Sequence, residues 1–244
     1  MYSSVIDTSF FKNVVGSADT DYVSGMFVER HYPRGSVLFQ QGDDAHEMYI
    51  IKSGALKIYR QDEGREIILG HQFPGEAIGE LEVFHYDSRR LASVAAIEKT
   101  TLWMIRKTDL DKLVQKYPEL IRKALFIVSE RLSQANRKIE YLSFLDIRVR
   151  VANLLLDLNS NFGADTAEGR LIQFRVSQQY LANMIGAGRE SVARILIEFQ
   201  KERFICISKK DLYITDLSSL ERLAGPTAES QEERKWHSSH KYII

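Results

Sequence analysis

Arg189, Glu190 and Arg194 carry side chains able to read the edge of a base pair. An arginine fork donates to guanine O6 and N7 together, and a glutamate accepts from cytosine N4. Glu190 and Arg194 stand four positions apart, so on a helix they share a face, with Arg189 beside them at its start. Val192, Ile195, Leu196 and Phe199 fall at i, i+3, i+4 and i+7 and form the stripe that such a helix buries. The three charged residues point away from it. Two arginines and a glutamate on an exposed helix face suit a half-site holding at least two G·C pairs. The same residues on a merely solvated helix amount to a Glu–Arg pair worth about 0.3–0.5 kcal/mol. Their surroundings must decide.

Between Arg170 and Lys210 eight cations stand against three anions. The cations are Arg170, Arg175, Arg189, Arg194, Lys201, Arg203, Lys209 and Lys210; the anions are Glu190, Glu198 and Glu202. The whole chain is neutral, with 33 Lys+Arg and 33 Asp+Glu, so this excess is local. Local cations carry phosphate contact and make binding salt-dependent. The elements that must position them are legible nearby. Val149 to Leu158 is predicted helical, with Val151, Leu154, Leu155 and Leu158 on one face, and Asn159 to Gly169 reads as a polar loop. A helix from Ser177, its N-cap, to Ile185 is followed by a Gly186-Ala187-Gly188 turn and a second helix over about Arg189–Glu202. Ile205–Ile207 and Leu212–Ile214 then form a hairpin whose turn is Ser208-Lys209-Lys210-Asp211. Helix, short turn, helix and hairpin make a winged helix-turn-helix. On it, Ser177, Gln178, Ser191, Lys201, Lys209 and Lys210 are placed to touch the DNA backbone.

One such unit on one half-site binds weakly. Upstream, Ile121, Leu125, Val128, Leu132, Ala135, Ile139 and Leu142 recur in alternating steps of four and three, an a/d seam about three heptads long. Pro118 suits the first turn of that helix. A seam of this kind makes a two-fold dimer and brings two half-sites, roughly one helical turn apart, within reach. The competing reading is a surface helix lying on a single globular core.

The first half is β-structured. Residues 42–79 hold six of the 14 glycines, separating the runs Met48–Ile51, Leu56–Tyr59 and Ile67–Leu69, with Leu102–Ile105 following. Short β-branched or aromatic runs punctuated by turns predict a small barrel or sandwich, and Asp62-Glu63-Gly64 a hairpin turn. The resulting division is 1–117 for a β-barrel effector-sensing domain, 118–145 for a dimerisation helix, 146–224 for the DNA-binding domain and 225–244 for a polar, mobile tail.

Composition excludes other classes. The single cysteine, Cys206, forms no internal disulfide and no cysteine cluster for iron–sulfur chemistry; its strand reads as core. None of the six histidines is spaced as a ligand pair, so no metal site is expected. No apolar run reaches the roughly 18 residues of a membrane span, and Met1–Gly16 lacks the basic and apolar regions of a signal peptide. The expected location is the cytoplasm. Zincin, Walker, G-x-S-x-G and dinucleotide motifs are lacking, so an enzyme reading has no nucleophile or base.

The segment Ile185-Gly186-Ala187-Gly188-Arg189-Glu190-Ser191-Val192-Ala193-Arg194 closely resembles the recognition segment of the CRP/FNR family, the cyclic-AMP receptor protein and fumarate–nitrate regulator group. Phe144-Leu145-Asp146-Ile147 resembles its hinge, and the likeness covers roughly residues 20–220. It implies an α+β chain: an N-terminal jelly-roll, cyclic-nucleotide-binding-like β-barrel, a long dimerisation helix and a C-terminal winged helix-turn-helix. It also implies a homodimeric transcription regulator that works on double-stranded DNA with RNA polymerase. Arg189, Glu190 and Arg194 would then read a TGTGA-like half-site. Departures are Gly188, where members often carry Ser or Thr, and Gln178, where they often carry Arg.

Gly79-Glu80-Leu81 resembles the family's phosphate-binding turn, and Arg90 follows Gly79 by eleven residues as in its cyclic-nucleotide binders. The implied effector site is Gly79, Glu80, Leu81, Arg90, Leu91, Ala92 and, from the dimer helix, Asn136. Leu91 stands where binders have Ser or Thr, and Ala135 where they offer a hydroxyl to adenine. A cyclic nucleotide, another small molecule, no ligand at all and a haem or redox group therefore stay open. So does a structural reading in which Glu80 and Arg90 pair with each other. An effector would act by shifting the population between two orientations of the recognition helices. A cyclic-nucleotide module acting on a protein partner is the alternative from another class.

Overall fold

Four consecutive buried residues, Met48, Tyr49, Ile50 and Ile51, mark a strand covered on both faces. In the computed structural model, which describes residues 2–85, 87–175, 177–225 and 233–236, they lie on β3 (Glu47–Ser53). β3 pairs antiparallel with β8 (Thr100–Arg106), which in turn pairs with β1 (Val28–Tyr32); β6 (Ala77–Ile78) completes the sheet on the far side of β3. A second sheet has the order β2 (Val37–Phe39), β7 (Ser93–Ala96), β4 (Leu56–Asp62), β5 (Arg65–Gln72). Alternation along the strands divides the core. Met48, Ile50, Trp103 and Ile105 pack with Phe10, Phe11, Leu110, Leu113, Leu120 and Ile127, while Tyr49, Ile51 and Leu102 pack with Leu56 and Val94. Burying each such side chain contributes about 1.5–3 kcal/mol. The expected barrel is thus an open jelly roll of two four-stranded sheets. The expected hairpin turn is present between β4 and β5, with Glu63 (φ 44°) and Gly64 (φ 79°) both left-handed.

The helices of this part are α1 (Thr20–Ser24), α2 (Glu80–Phe84) and α3 (Lys107–Lys116). After Pro118 comes α4, Glu119–Phe144. Its Leu120, Ala124 and Ile127 are buried, whereas the seven predicted seam residues point elsewhere. Ala135 is exposed, and the other six keep between 38% and 64% of their surface. The seam is therefore distinct from the stripe that serves the core.

Among the described residues, 2–64 and 69–135 form one compact unit, and 65–68, 136–225 and 233–236 another. In the second, Asp146 accepts from Val149 N–H at 2.9 Å and caps α5, Ile147–Phe162, so the chain breaks its helical run at Leu145. The predicted polar loop after it is corrected. α5 runs four residues beyond Leu158, and β9 (Gly163–Thr166) and β10 (Gly169–Ile172) form a hairpin in the sheet β11-β12-β10-β9. Ladder bonds to β10 hold Gly163–Thr166 in a strand, and β12 (Asp211–Ile214) holds β10 on its other side, as hydrophobic alternation does not. α6 (Gln178–Ile185), α7 (Arg189–Lys201), β11 (Ile205–Ser208) and α8 (Leu217–Ala224) complete the unit. Cys206, expected in the core, is exposed, because only Ile205 of its pair faces inward.

The tail also departs from expectation. Residues 226–232 and 237–244 lie outside the described residues. Glu233–Trp236 does not hang free: Arg234 is only 4% exposed, and the ring of Trp236 stands edge-on to Phe162.

Candidate nucleic-acid interface and buried arginine site

Ser177 caps α6 by accepting from Tyr180 N–H at 3.1 Å. The helix stops at Gly186, whose φ of 61° suits a residue without Cβ, and α7 begins after Gly188, which supplies no side-chain cap. α7 buries Val192, Ile195, Leu196 and Phe199 as their spacing predicts. Arg189, Glu190 and Arg194 are exposed on the rest of the helix. Among the described residues none of the three makes an ion pair or a side-chain hydrogen bond, so the Glu190–Arg194 pair is not formed. Their donors and acceptor are available to an outside partner.

The tertiary structure also sharpens the charge. Arg148 of α5 reaches Glu198 at 3.0 Å and Glu202 at 2.6 Å, with its guanidinium 5.0 Å from the centre of the Phe199 ring. Two of the three local anions are thereby neutralised by a residue that no local pattern singled out. Arg175 forms a bidentate pair with Asp211 at 2.8 and 3.1 Å, and Arg170 lies 3.5 Å from Asp165. Arg189, Arg194, Lys201, Arg203, Lys209 and Lys210 remain without ion-pair partners among the described residues. Lys209 (φ 50°) and Lys210 (φ 72°) form the tip of the β11–β12 hairpin, both left-handed as a two-residue turn of that type requires. Gln178 and Ser191 are half-buried at the two helix starts.

The residues around Gly79 form a second constellation. Gly79 is left-handed (φ 82°), and a Cβ there would stand 2.5 Å from Arg90 Nη1. The Arg90 side chain is fully buried. Its Nη2 donates to the Glu47 carbonyl at 2.8 Å and its Nη1 to the Gly79 carbonyl at 3.4 Å. Its guanidinium carbon lies over the Phe39 ring, 4.0 Å from the ring centre. Its counter-ions are Glu47, at 3.5 Å and held by the Tyr49 hydroxyl, and Glu82, at 3.9 Å. Glu80 does not pair with Arg90. It faces Arg131 of α4 at 2.8 Å, and Arg131 also donates to the Ala77 carbonyl. Neither carboxylate oxygen of Glu80 accepts a hydrogen bond, and burial pushes its pKa up against the pull of Arg131. Both backbone groups of Leu91 are occupied: its N–H by Glu82 Oε1 at 3.1 Å, its carbonyl by Arg60 at 2.8 and 3.0 Å. Leu91 is 41% exposed, Ala92 is buried and Leu81 half-buried. Asn136 is exposed on α4 and belongs with the second unit. Sequence patterns missed Glu47, Glu82 and Arg131, which come from separate elements.

Residues 29–117 match the family model of the cyclic nucleotide-binding domain, and residues 149–223 that of the Crp-like helix-turn-helix domain. The CRP-like cAMP-activated global transcriptional regulator of Mycobacterium tuberculosis is 31% identical over 194 residues, 79% of this chain and 86% of that protein. The chain belongs to the CRP/FNR family of transcriptional regulators. Another relative in the family, the transcriptional activator protein Anr of Pseudomonas protegens, is 30% identical over 82% of each chain. Among solved structures, the c-di-GMP-responsive global regulator CLP of Xanthomonas campestris superposes with a TM-score of 0.74 at 26% identity, covering 82% of this chain and 99% of that one. As expected of the CRP/FNR family, a β-rich part, a long helix and a helix-turn-helix follow one another. No helix among the described residues is long and apolar enough to cross a membrane.

Proposed function

We propose that two copies of this chain pair along α4 and that each dimer reads a TGTGA-like palindrome in double-stranded DNA. The observation that carries this reading is the free state of Arg189, Glu190 and Arg194 on the outer face of α7. Buried or internally paired, they would have no donors for guanine and no acceptor for cytosine. Ser177, Gln178, Ser191, Lys201, Lys209 and Lys210 contact the flanking phosphates, which sets register without reading sequence. The exposed seam from Ile121 to Leu142 supplies the dimer, and RNA polymerase is the partner of the DNA-bound form in the cytoplasm. A small-molecule effector acts at the site built on Gly79, Glu80, Leu81, Arg90, Leu91 and Ala92. It shifts the balance between orientations of the two recognition helices by its differential affinity for them. A second reading, regulation without any effector, is favoured by the internal pairing of Arg90 and Arg131. A module acting on a protein partner would leave Arg189 and Arg194 without a use.

Electrophoretic mobility shift on a TGTGA-type palindrome and on a scrambled duplex tests the reading. The wild type retards the palindrome at lower concentration. Arg194→Ala loses that preference and keeps the salt-dependent, non-specific binding, at a cost of about 1–3 kcal/mol on the palindrome. Equal losses on both duplexes would reduce Arg194 to a phosphate contact.

A further inference from the structure

A fully buried guanidinium needs a counter-ion. Arg90 finds it within its own unit, at Glu47 and Glu82. Glu82 does more than balance charge. Its side chain is nearly buried, its Oε1 takes the Leu91 N–H, and its Oε2 lies beside Arg90 Nη1. It therefore occupies the place where an anion could meet an arginine and a backbone donor together.

We infer that Glu82 is the built-in anion of this site and that, by holding the seat between Arg90 and the Leu91 N–H, it keeps phosphodiester effectors out. This rests on the assignment of the site as an effector site and names the class of ligand that it refuses. Around Arg90 itself the carboxylates of Glu47 and Glu82 outnumber the guanidinium, and exposed Arg60 on the Leu91 carbonyl only evens the count, while Arg131 faces Glu80. No surplus positive charge is left for a second anion. A phosphate brought to the same N–H would face a carboxylate at hydrogen-bonding range, where like charges in a desolvated site repel strongly. Arg90 Nε is buried and has no hydrogen-bond partner, so the guanidinium keeps a donor for an anion once Glu82 is neutral or gone. The effector that fits the native site is a molecule without a phosphate.

Calorimetric titration of the full-length protein with cyclic AMP, and with adenosine as its uncharged counterpart, tests this. Wild type is expected to give no saturable binding of cyclic AMP up to about 1 mM. Glu82→Gln, which keeps the shape and removes the charge, and Glu82→Ala, which also opens space, should each bind it at least about tenfold more tightly than that limit. Adenosine should respond little to Glu82→Gln. Circular dichroism establishes that both variants are folded. Micromolar binding of cyclic AMP by the wild type would overturn the inference, and so would folded variants that gain nothing. Ligand-free mobility shift is read separately: its failure sinks the proposed DNA function and leaves the role of Glu82 to the titrations alone.

Discussion

Arg234 Nη1 lies 2.7 Å from Asp157 Oδ1, and Arg234 Nη2 donates to Asn153 Oδ1 at 2.8 Å, which fixes a piece of the C-terminal tail to α5. Trp236 N–H donates to Asn161 Oδ1 at 2.9 Å, and Arg137 of α4 donates to the Glu233 carbonyl at 2.8 Å. The segment therefore spans from α4 to α5 across the break at Leu145–Asp146. Beyond Trp236 a run of rings, Phe162, Phe174 and Tyr180, carries the contact to α6.

Arg234→Ala should cost about 1.5–3 kcal/mol of unfolding free energy, because it removes a buried guanidinium and the charged donor that Asp157 and Asn153 share. Urea unfolding of the variant beside wild type measures it. A chain ending at Gly225 should lose a comparable amount. If truncation leaves the urea midpoint unchanged, the docked tail contributes nothing to stability.

Leu132→Asp should produce a folded monomer. Leu132 keeps 60% of its surface exposed on α4, so the change disturbs no core, yet a charge in the seam must be desolvated when two helices meet. Analytical ultracentrifugation of wild type and variant, with circular dichroism as the check on folding, decides this. A variant that stays dimeric moves the pairing surface elsewhere.

Replacing Lys209-Lys210 by Asn-Gly should separate two effects. Both lysines sit at positive φ, where a side chain is strained, so the hairpin should gain about 0.5–1 kcal/mol. DNA binding should weaken on all sequences alike, and the slope of log affinity against log salt should flatten by about one per lysine that touches phosphate. Mobility shifts over a series of salt concentrations give the slope.

Lys138 provides a pH dependence. Its ammonium reaches the Ile68 carbonyl, and burial pushes its pKa down to about 8 from the ordinary 10.5. Between those values the unfolded chain holds a proton that the folded chain has released, so stability rises with pH across that window. Below it, charging the buried amine is a full penalty. Lys138→Met should therefore stabilise the protein at pH 7, with the gain shrinking as pH approaches 10. Denaturant midpoints at the two pH values test the sign; equal gains at both would show that Lys138 does not titrate in the window.

Local periodicity makes much of the fold legible. The i, i+3, i+4, i+7 stripe of α7 needs nothing beyond helix geometry to set which face is buried, and that stripe is buried. The steps of four and three along α4 pick out an exposed apolar stripe, while Leu120, Ala124 and Ile127 serve the core. The β9–β10 hairpin is not legible, because Gly163–Thr166 offer no apolar alternation and only their pairing with β10 holds them in a strand. Cys206 escapes a local reading for a related reason: a short strand buries one face, and neighbouring elements choose which.

Residue order by itself determined that Arg189, Glu190 and Arg194 stand opposite an apolar stripe. The hinge after Phe144 followed from the resemblance of Phe144–Ile147 to the family's, and the restart of the helix at Ile147, capped by Asp146, shows only in the fold. Which charges stay available was decided only by tertiary structure. Arg148 cancels Glu198 from 50 residues away, Arg234 finds Asp157 across 77, and Arg90 meets Glu82 rather than Glu80. Helical and strand periods act between near neighbours, whereas a charge answers to whatever lies within a few ångströms and to how much water is left there, and both are properties of the folded chain.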